Sequence, residues 1–505
     1  MIAKTYTCSL LGIDAILVEV EVDISSGLPQ FSTVGLPDNI VRESKDRVKS
    51  ALQNSGYDFP MERITVNLAP AHLKKEGAGF DLPIALGILA AMGILNPKEA
   101  EGVVSVGELS LDGRIKPITG SLPMAIQARA SGYEKMLFPT GNGAEAAVAD
   151  GLRVLPVNHL AEVVNYLNGK EPIAPVGFDR DAVWNRHNPD DLDFEEVKGQ
   201  EHTKRGLEVA AAGGHNALMV GPPGSGKTML AQRLPGILPA LSFEEALETS
   251  KIFSVAGLLQ NAPLMVRRPF RSPHHTISDA GLVGGGHIPR PGEVSLAHNG
   301  VLFLDEFPEF RRNVLDLLRQ PLEDGQVTIA RAAMSLTYPA RFMLVAAMNP
   351  CPCGHSGDPS RPCSCSGQQI QRYRGRISGP ILDRIDLHLD VPAVRYEDLH
   401  STRQVESSAV IRARVIEARR RQLERFSGEA VYSNALMKPR HIKKFCRLDP
   451  SGQGLLESAM QRLGLSARAY HRILKVARTI ADLDAQESIQ PHHLLEAIQY
   501  RTLDR

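Results

Sequence analysis

The sequence predicts an α/β protein of several domains, and three features predict it. The glycine loop "GPPGSGKT" stands between an apolar strand, "NALMV", and the helical "TMLAQRLPGIL". Two further apolar segments, "GVLFLDE" and "RFMLVAAMNP", read as strands that deliver polar residues to their ends. From residue 401 onward the spacing is helical, as in "SSAVIRARVIEARRRQLERF" and "ARAYHRILKVARTIADL". Strand–loop–helix units build a sheet whose strand ends carry the chemistry. A chain of 505 residues also exceeds one hydrophobic core, so roughly three domains are expected.

Residues 1–172 mix strand and helix signals and read as an α+β domain. "DAILVEVEVDI" alternates like a half-buried strand, "NIVRESKDRVKSALQNSG" is helical and stops at a glycine, and "ITVNLAP" is another strand. The apolar run from Leu82, "LPIALGILAAMGIL", falls short of the ~20 residues that cross a bilayer. No charged stretch of signal-peptide type precedes it, so it reads as a buried helix, and no membrane association is expected. "VVSVGELSLDGRIKPI" follows as a hairpin with Asp112-Gly113 at its turn. Residues 173–193 read as a linker, 194–400 as the strand–loop–helix block, and 401–505 as a helical C-terminal domain.

Lys+Arg and Asp+Glu number 57 each, for a formal net charge of +0, so any hold on nucleic acid must come from local patches. Cys8 and Cys446 stand alone and the other four cysteines cluster, which leaves no disulfide framework and fits a reducing cytoplasm.

Gly221, Pro222, Pro223, Gly224, Ser225, Gly226, Lys227 and Thr228 satisfy every fixed position of G-x-x-x-x-G-K-[ST] between a strand and a helix. Glycines let backbone N–H groups wrap phosphates, Lys227 supplies a point charge to the β/γ-phosphates, and Thr228 supplies a ligand for Mg2+. Some 80 residues on, "GVLFLDE" delivers Asp305 to the magnesium shell and Glu306 to the attacking water. Together these residues predict hydrolysis of ATP.

With these motifs in hand, the chain resembles the AAA+ ATPases of the magnesium-chelatase-like branch, and within it the ComM/YifB family. The likeness covers almost the full length, through "VGLPDNIVRESKDRVKSAL", "GAGFDLPIAL", "GELSLDGRIKP", "FRSPHHTISDAGLVGGG", "AAMNPCPCG" and "DRIDLH". It implies an AAA+ P-loop NTPase core with a helical C-terminal lid, preceded by a ribosomal-S5/Lon-protease-like domain. It also implies that Asn349 senses the γ-phosphate and that Arg384, in "GPILDRIDLHLD", is a finger serving the neighbouring subunit. An ion pair of Arg384 with Asp383 or Asp386 is the structural alternative. Arg468 is implied as a lid contact to phosphate, with Arg472 as its rival, and Val197 to Gln200 lies where the family packs adenine. A finger acting in trans requires a homo-oligomer, which the resemblance implies is a hexameric ring. The implied activity is a DNA helicase that promotes branch migration during recombination of incoming DNA; the alternative is a chelatase-like ATPase that remodels a protein partner.

Set against Lon-type proteases, the nucleophile position falls at Gly79 and the base position near Met124, and neither side chain does that chemistry. The first domain is therefore expected to be catalytically inactive.

Cys351, Cys353, Cys363 and Cys365 form two Cys-x-Cys pairs nine residues apart, with His355 as a substitute ligand. Four thiolates suit a closed structural Zn2+ site, with ordinary reduced cysteines on a loop as the alternative. Because the cluster begins two residues after Asn349, a metal there is expected to brace the stretch between sensor and finger. Patches for sequence-independent DNA contact are Arg331 in "VTIARAAMSLTYPARFMLV", His287 and Arg290 in "GLVGGGHIPRP", and Arg361, Arg372, Arg374 and Arg376. The six arginines of "IRARVIEARRRQLERF" read instead as a solvated face or subunit interface.

Overall fold

In the computed structural model, residues 1–184, 192–259, 262–286, 289–331, 334–357, 361–394, 396–399, 405–429 and 431–501 are described. Two compact units emerge, one of Met1–Arg186 with Phe243–Val266, the other of His187–Ser242 with Arg267–Arg505.

The first unit grows from the alternating segment Asp14–Ser25, whose Val18, Val20 and Val22 turn fully inward. It pairs antiparallel with Ile2–Leu11 on one side and Arg63–Ala69 on the other. Seven strands follow in the order 30–34, 63–69, 14–25, 2–11, 104–105, 135–139, 153–157, and the last three continue from Ile2–Leu11 in parallel. The apolar run from Leu82 is the buried helix that its composition predicts: Asp81–Ala91 has every residue inside the core. The hairpin also forms, Glu108–Leu109 against Ile115–Lys116, with Gly113 at a left-handed φ of 86° in its turn.

Two helices of this unit lie outside its expected 1–172 span, the short Arg180–Trp184 and the longer Phe243–Ala256. Phe243–Ala256, read from the sequence as part of the 194–400 block, buries Ala246, Ile252 and Phe253 in the first unit. Lys251 pairs with Asp14 at 2.9 Å, Ser254 Oγ donates to Glu145, and the Gly120 N–H donates to the Ser254 carbonyl at 3.1 Å. The longer helix packs against helix Ser121–Ala130, a long-range contact that no local spacing announces.

The second unit is built on five parallel strands ordered 270–271, 301–304, 343–348, 217–220, 387–390. Strands 217–220, 301–304 and 343–348 are buried throughout, as parallel strands covered on both faces must be. The C-terminal helices share this core. Val415 and Ala418 of helix Ser408–Arg425, and Ile473, Ala477 and Ile480 of helix Ala467–Leu483, belong to one apolar cluster with Leu207, Met219 and Leu230. No helix among the described residues is long and apolar enough to cross a membrane.

Candidate functional site

Register builds the site. Val220 stands opposite Met348, and Leu304 opposite Ala346, so the residues that follow them emerge at one sheet edge: Gly221, Asn349 and Asp305. Gly221 must lack a side chain, because a Cβ there would lie 2.0 Å from the Val391 carbonyl oxygen. The loop then enters helix Lys227–Ile237 through Gly226.

Lys227 curls over the loop. Its Nζ donates to the carbonyls of Gly221 (2.8 Å) and Pro222 (2.9 Å), and it reaches Ser225 Oγ at 3.5 Å and Asn349 Oδ1 at 3.3 Å. Burial lowers its pKa below the usual lysine value, while Asp305 pulls the other way. Thr228 Oγ1 donates to Asp305 Oδ2 at 2.6 Å, so the two oxygen ligands suited to Mg2+ already touch. Glu306 takes a left-handed φ of 52°, uncommon for a residue with a Cβ, and its exposed side chain meets His275 Nδ1 at 3.0 Å. Gln200 straps the loop from below, donating to the Ser225 carbonyl at 2.6 Å and the Pro392 carbonyl at 3.0 Å. Val197, in the stretch read as the adenine contact, is fully buried in the unit's core.

The arginines fall into two groups. Arg384 donates to Glu323 and the Pro380 carbonyl, so its partner is neither Asp383 nor Asp386. Those two carboxylates go to the rival lid residues: Arg468, largely exposed, meets Asp383 at 3.0 Å, and Arg472 meets the buried Asp386. Asp386 also receives His215, 3.3 Å away, which makes Arg472 a structural anchor and leaves Arg468 in solvent. Five of the six arginines of Ser408–Arg425 find partners inside the unit: Arg414 with Glu208 and Glu406, Arg419 with the Ala211 and Tyr432 carbonyls, Arg420 and Arg421 with Glu417, and Arg425 with Asp482. Arg376 pairs with Glu309 at 2.7 Å, and Arg374 donates to the Pro350 carbonyl. Arg361 and Arg372 are exposed. Arg290 lies on a short strand paired with Gly284–Gly285. His287 and the side chain of Arg331 lie outside the described residues.

Cys351, Cys353, Cys363 and Cys365 gather with all four sulfurs within 4.8 Å of one another. The contacts are 3.4 Å for Cys351–Cys353, 3.7 Å for Cys351–Cys363 and 3.6 Å for Cys353–Cys363. Backbone N–H groups of His355 and Ser364 aim at Cys353 and hold its thiol down at about 5. His355 thus contributes its backbone, while the cluster is made of the four cysteines.

In the first unit, Gly79 sits in a short turn 3.0 Å (as a Cβ) from Val106, and Met124 is buried in helix Ser121–Ala130, so neither position supplies a nucleophile or a base.

The family model described as "Magnesium chelatase, subunit ChlI" matches residues 193–399, with "Subunit ChlI of Mg-chelatase" matching 20–142 and the ChlI C-terminal model 405–501. "Competence protein ComM" of Haemophilus influenzae is 47% identical over 100% of this chain and 98% of its own length. "Uncharacterized protein YifB" of Escherichia coli is also 47% identical, over 99% of this chain and 97% of its own. The chain belongs to the ComM/YifB family of magnesium-chelatase-like AAA+ ATPases. A more distant relative, the "Magnesium-chelatase 38 kDa subunit" of Rhodobacter capsulatus, is 27% identical over 41% of this chain and 61% of its own length.

Several contacts of this ComM/YifB-family site escape a linear reading. His275 follows strand Phe270–Arg271, and only the sheet order brings it beside Glu306; its signal in the sequence is the His274-His275 pair in "FRSPHHT". Glu323 as the partner of Arg384, and Gln200 as the strap on Ser225, have no local signature.

Proposed function

We propose that this chain is an ATP-hydrolysing ring motor acting on DNA, a ComM-like helicase that promotes branch migration when incoming single-stranded DNA recombines with a chromosome, as in natural transformation. The observation that carries the ATPase part is the meeting of Thr228 with Asp305, 2.6 Å apart, beside Lys227 and Asn349. Similarity to a protein named for competence supports the DNA part.

Thr228 and Asp305 are the residues that would hold Mg2+, which supplies charge neutralisation to the phosphates of ATP. Lys227 exchanges the loop carbonyls for phosphate oxygens, a change that favours its charged form. Glu306 accepts a proton from the attacking water after leaving His275, and Asn349 reports the γ-phosphate. Arg384 leaves Glu323 to reach the site of the next subunit in a homo-oligomer, a hexameric ring, and Arg468 leaves Asp383 to contact phosphate from the lid. The four cysteines, their sulfurs all within 4.8 Å of one another, would hold a structural Zn2+ that closes the loop. Arg290, on the strand paired with Gly284–Gly285, and Arg331, Arg361 and Arg372 are the phosphate contacts, so binding is sequence-independent and salt-sensitive. The setting is the cytoplasm, and the first unit, without a catalytic dyad, serves assembly or substrate contact.

The test is the ATPase rate with and without a labelled three- or four-stranded DNA junction. Stimulation of turnover together with strand exchange is the expected result; no stimulation and no exchange would sink the motor reading. Because ChlI models match along most of the chain, the second reading is a chelatase-like ATPase that remodels a protein partner, and that outcome of the junction assay would favour it.

A further inference from the structure

The four cysteines are expected from their spacing to brace a stretch between sensor and finger, and the structure sets them against the phosphate loop as well. The turn of the first Cys-x-Cys pair closes with the Gly354 N–H donating to the Cys351 carbonyl at 3.0 Å. Gly354 holds a left-handed φ of 85°, and a Cβ on it would lie 2.4 Å from Cδ and 2.7 Å from Cγ of Pro223. The turn therefore lies flat against the ring of a phosphate-loop residue. It is anchored from within, since Cys351 is fully buried and its sulfur accepts from the Ser356 N–H at 3.3 Å. On its other flank, Arg374 donates to the Pro350 carbonyl at 3.3 Å, and Pro350 joins Cys351 to Asn349, the acceptor of Lys227.

Little else in the stretch can hold this arrangement. "CPCGHSGDPSRPCSC" contains no large apolar residue, so there is no core of its own to order it. Sulfur–sulfur contacts of 3.4–3.7 Å are far outside the ~2.05 Å of a disulfide bond and supply little cohesion by themselves. One ion joining four ligands from both ends of the segment closes it and fixes the turn in place.

We propose that the cysteine cluster is a metal-dependent prop for the phosphate loop: Zn2+ bound by Cys351, Cys353, Cys363 and Cys365 holds the Gly354 turn against Pro223, and this contact sets nucleotide affinity. The inference rests on the zinc reading given above and adds its consequence. With the ion in place, Pro223 has a rigid wall and the loop is pre-organised for phosphates. When the ion leaves, the turn is free to withdraw and the loop must be ordered by the nucleotide itself, which weakens binding.

The experiment uses the full chain under reducing conditions and two readouts, zinc per chain by elemental mass spectrometry and the Kd of a fluorescent ATP analogue with Mg2+ held constant. About one zinc per chain is expected as purified. Removal with a zinc-selective chelator should raise the Kd about tenfold, and added Zn2+ should restore it. Gly354→Ala should keep its zinc while its new methyl group displaces Pro223, and should weaken the analogue several-fold. If that variant fails to fold, the chelation and restoration cycle on the unaltered chain decides alone. Absence of zinc with tight nucleotide binding would overturn the zinc reading and the prop with it. Zinc present, but with an unchanged Kd after its removal, would leave the zinc reading standing and overturn the prop.

Discussion

The two sheets of this chain treat their polar residues in opposite ways. In the first unit a buried charge is neutralised: Nε and Nη2 of the half-buried Arg47 meet the two Asp81 oxygens at 2.6 and 2.9 Å, and Asp81 is wholly buried. In the second unit Lys227 is also buried, but it is held by neutral carbonyls and an amide oxygen, with no carboxylate in contact among the described residues. The Arg47–Asp81 charges are spent on each other. Lys227, held by weak neutral acceptors, keeps its charge available for a phosphate.

The largest expected effect tests the site. Glu306→Gln should leave nucleotide binding intact and slow turnover by about 10²–10³-fold, the loss typical of removing a general base; steady-state ATPase and analogue titration read the two halves. Unchanged turnover would strip Glu306 of its role.

Next comes the scaffold. Arg47→Ala leaves Asp81 buried without its partner, which should cost ~3–5 kcal/mol of first-unit stability. A denaturant titration measures this, and the ATPase of the folded fraction should stay close to that of the unaltered chain. A selective loss of ATPase with stability unchanged would erase the distinction between the two units.

The third prediction concerns acid. Burial pushes the Asp386 carboxyl up, but Arg472 and His215 outweigh it and hold it below the ordinary aspartate range. A lowered folded-state pKa contributes stability that is complete above the unfolded value of about 3.9 and is lost as pH falls toward the folded one. The second unit should therefore weaken below about pH 4. Asp386→Asn should flatten that part of a melting-temperature profile; an unaltered acid limb would assign it to other carboxylates.

The smallest effect is expected at Lys251→Ala. Its pair with the exposed Asp14 spans 2.9 Å but sits largely in water, so less than about 1 kcal/mol should be lost. A larger loss would mean that the helix it anchors holds the first unit together far more strongly than an exposed ion pair can.

What could be read in advance follows a physical rule. The glycine loop, the Asp-Glu strand and the set of four cysteines are local patterns, in which chemistry demands fixed spacing along the chain. The buried helix and the Asp112-Gly113 hairpin are equally local, and both are present. Contacts between segments far apart obey no such spacing. Glu323 reaches Arg384 across 61 positions, and Gly354 reaches Pro223 only because strands 217–220 and 343–348 are neighbours. The division of roles between Arg468 and Arg472 has the same origin. Both lie on one amphipathic helix, and only its packing decides which one faces the buried Asp386.

The helix Phe243–Ala256 carries a consequence for how this protein is made. It belongs to the first unit, but its codons come after those for the phosphate loop. A ribosome adding ~5–20 residues per second delivers Met1–Arg186 many seconds before the last piece of that unit. During that delay the helix's partners in the first unit, helix Ser121–Ala130 with Asp14 and Glu145, wait without it, and the nascent second unit has already begun to emerge. The first unit cannot finish folding before the second has started, so a gene cut between the two would yield an N-terminal product with a missing side rather than an independent domain.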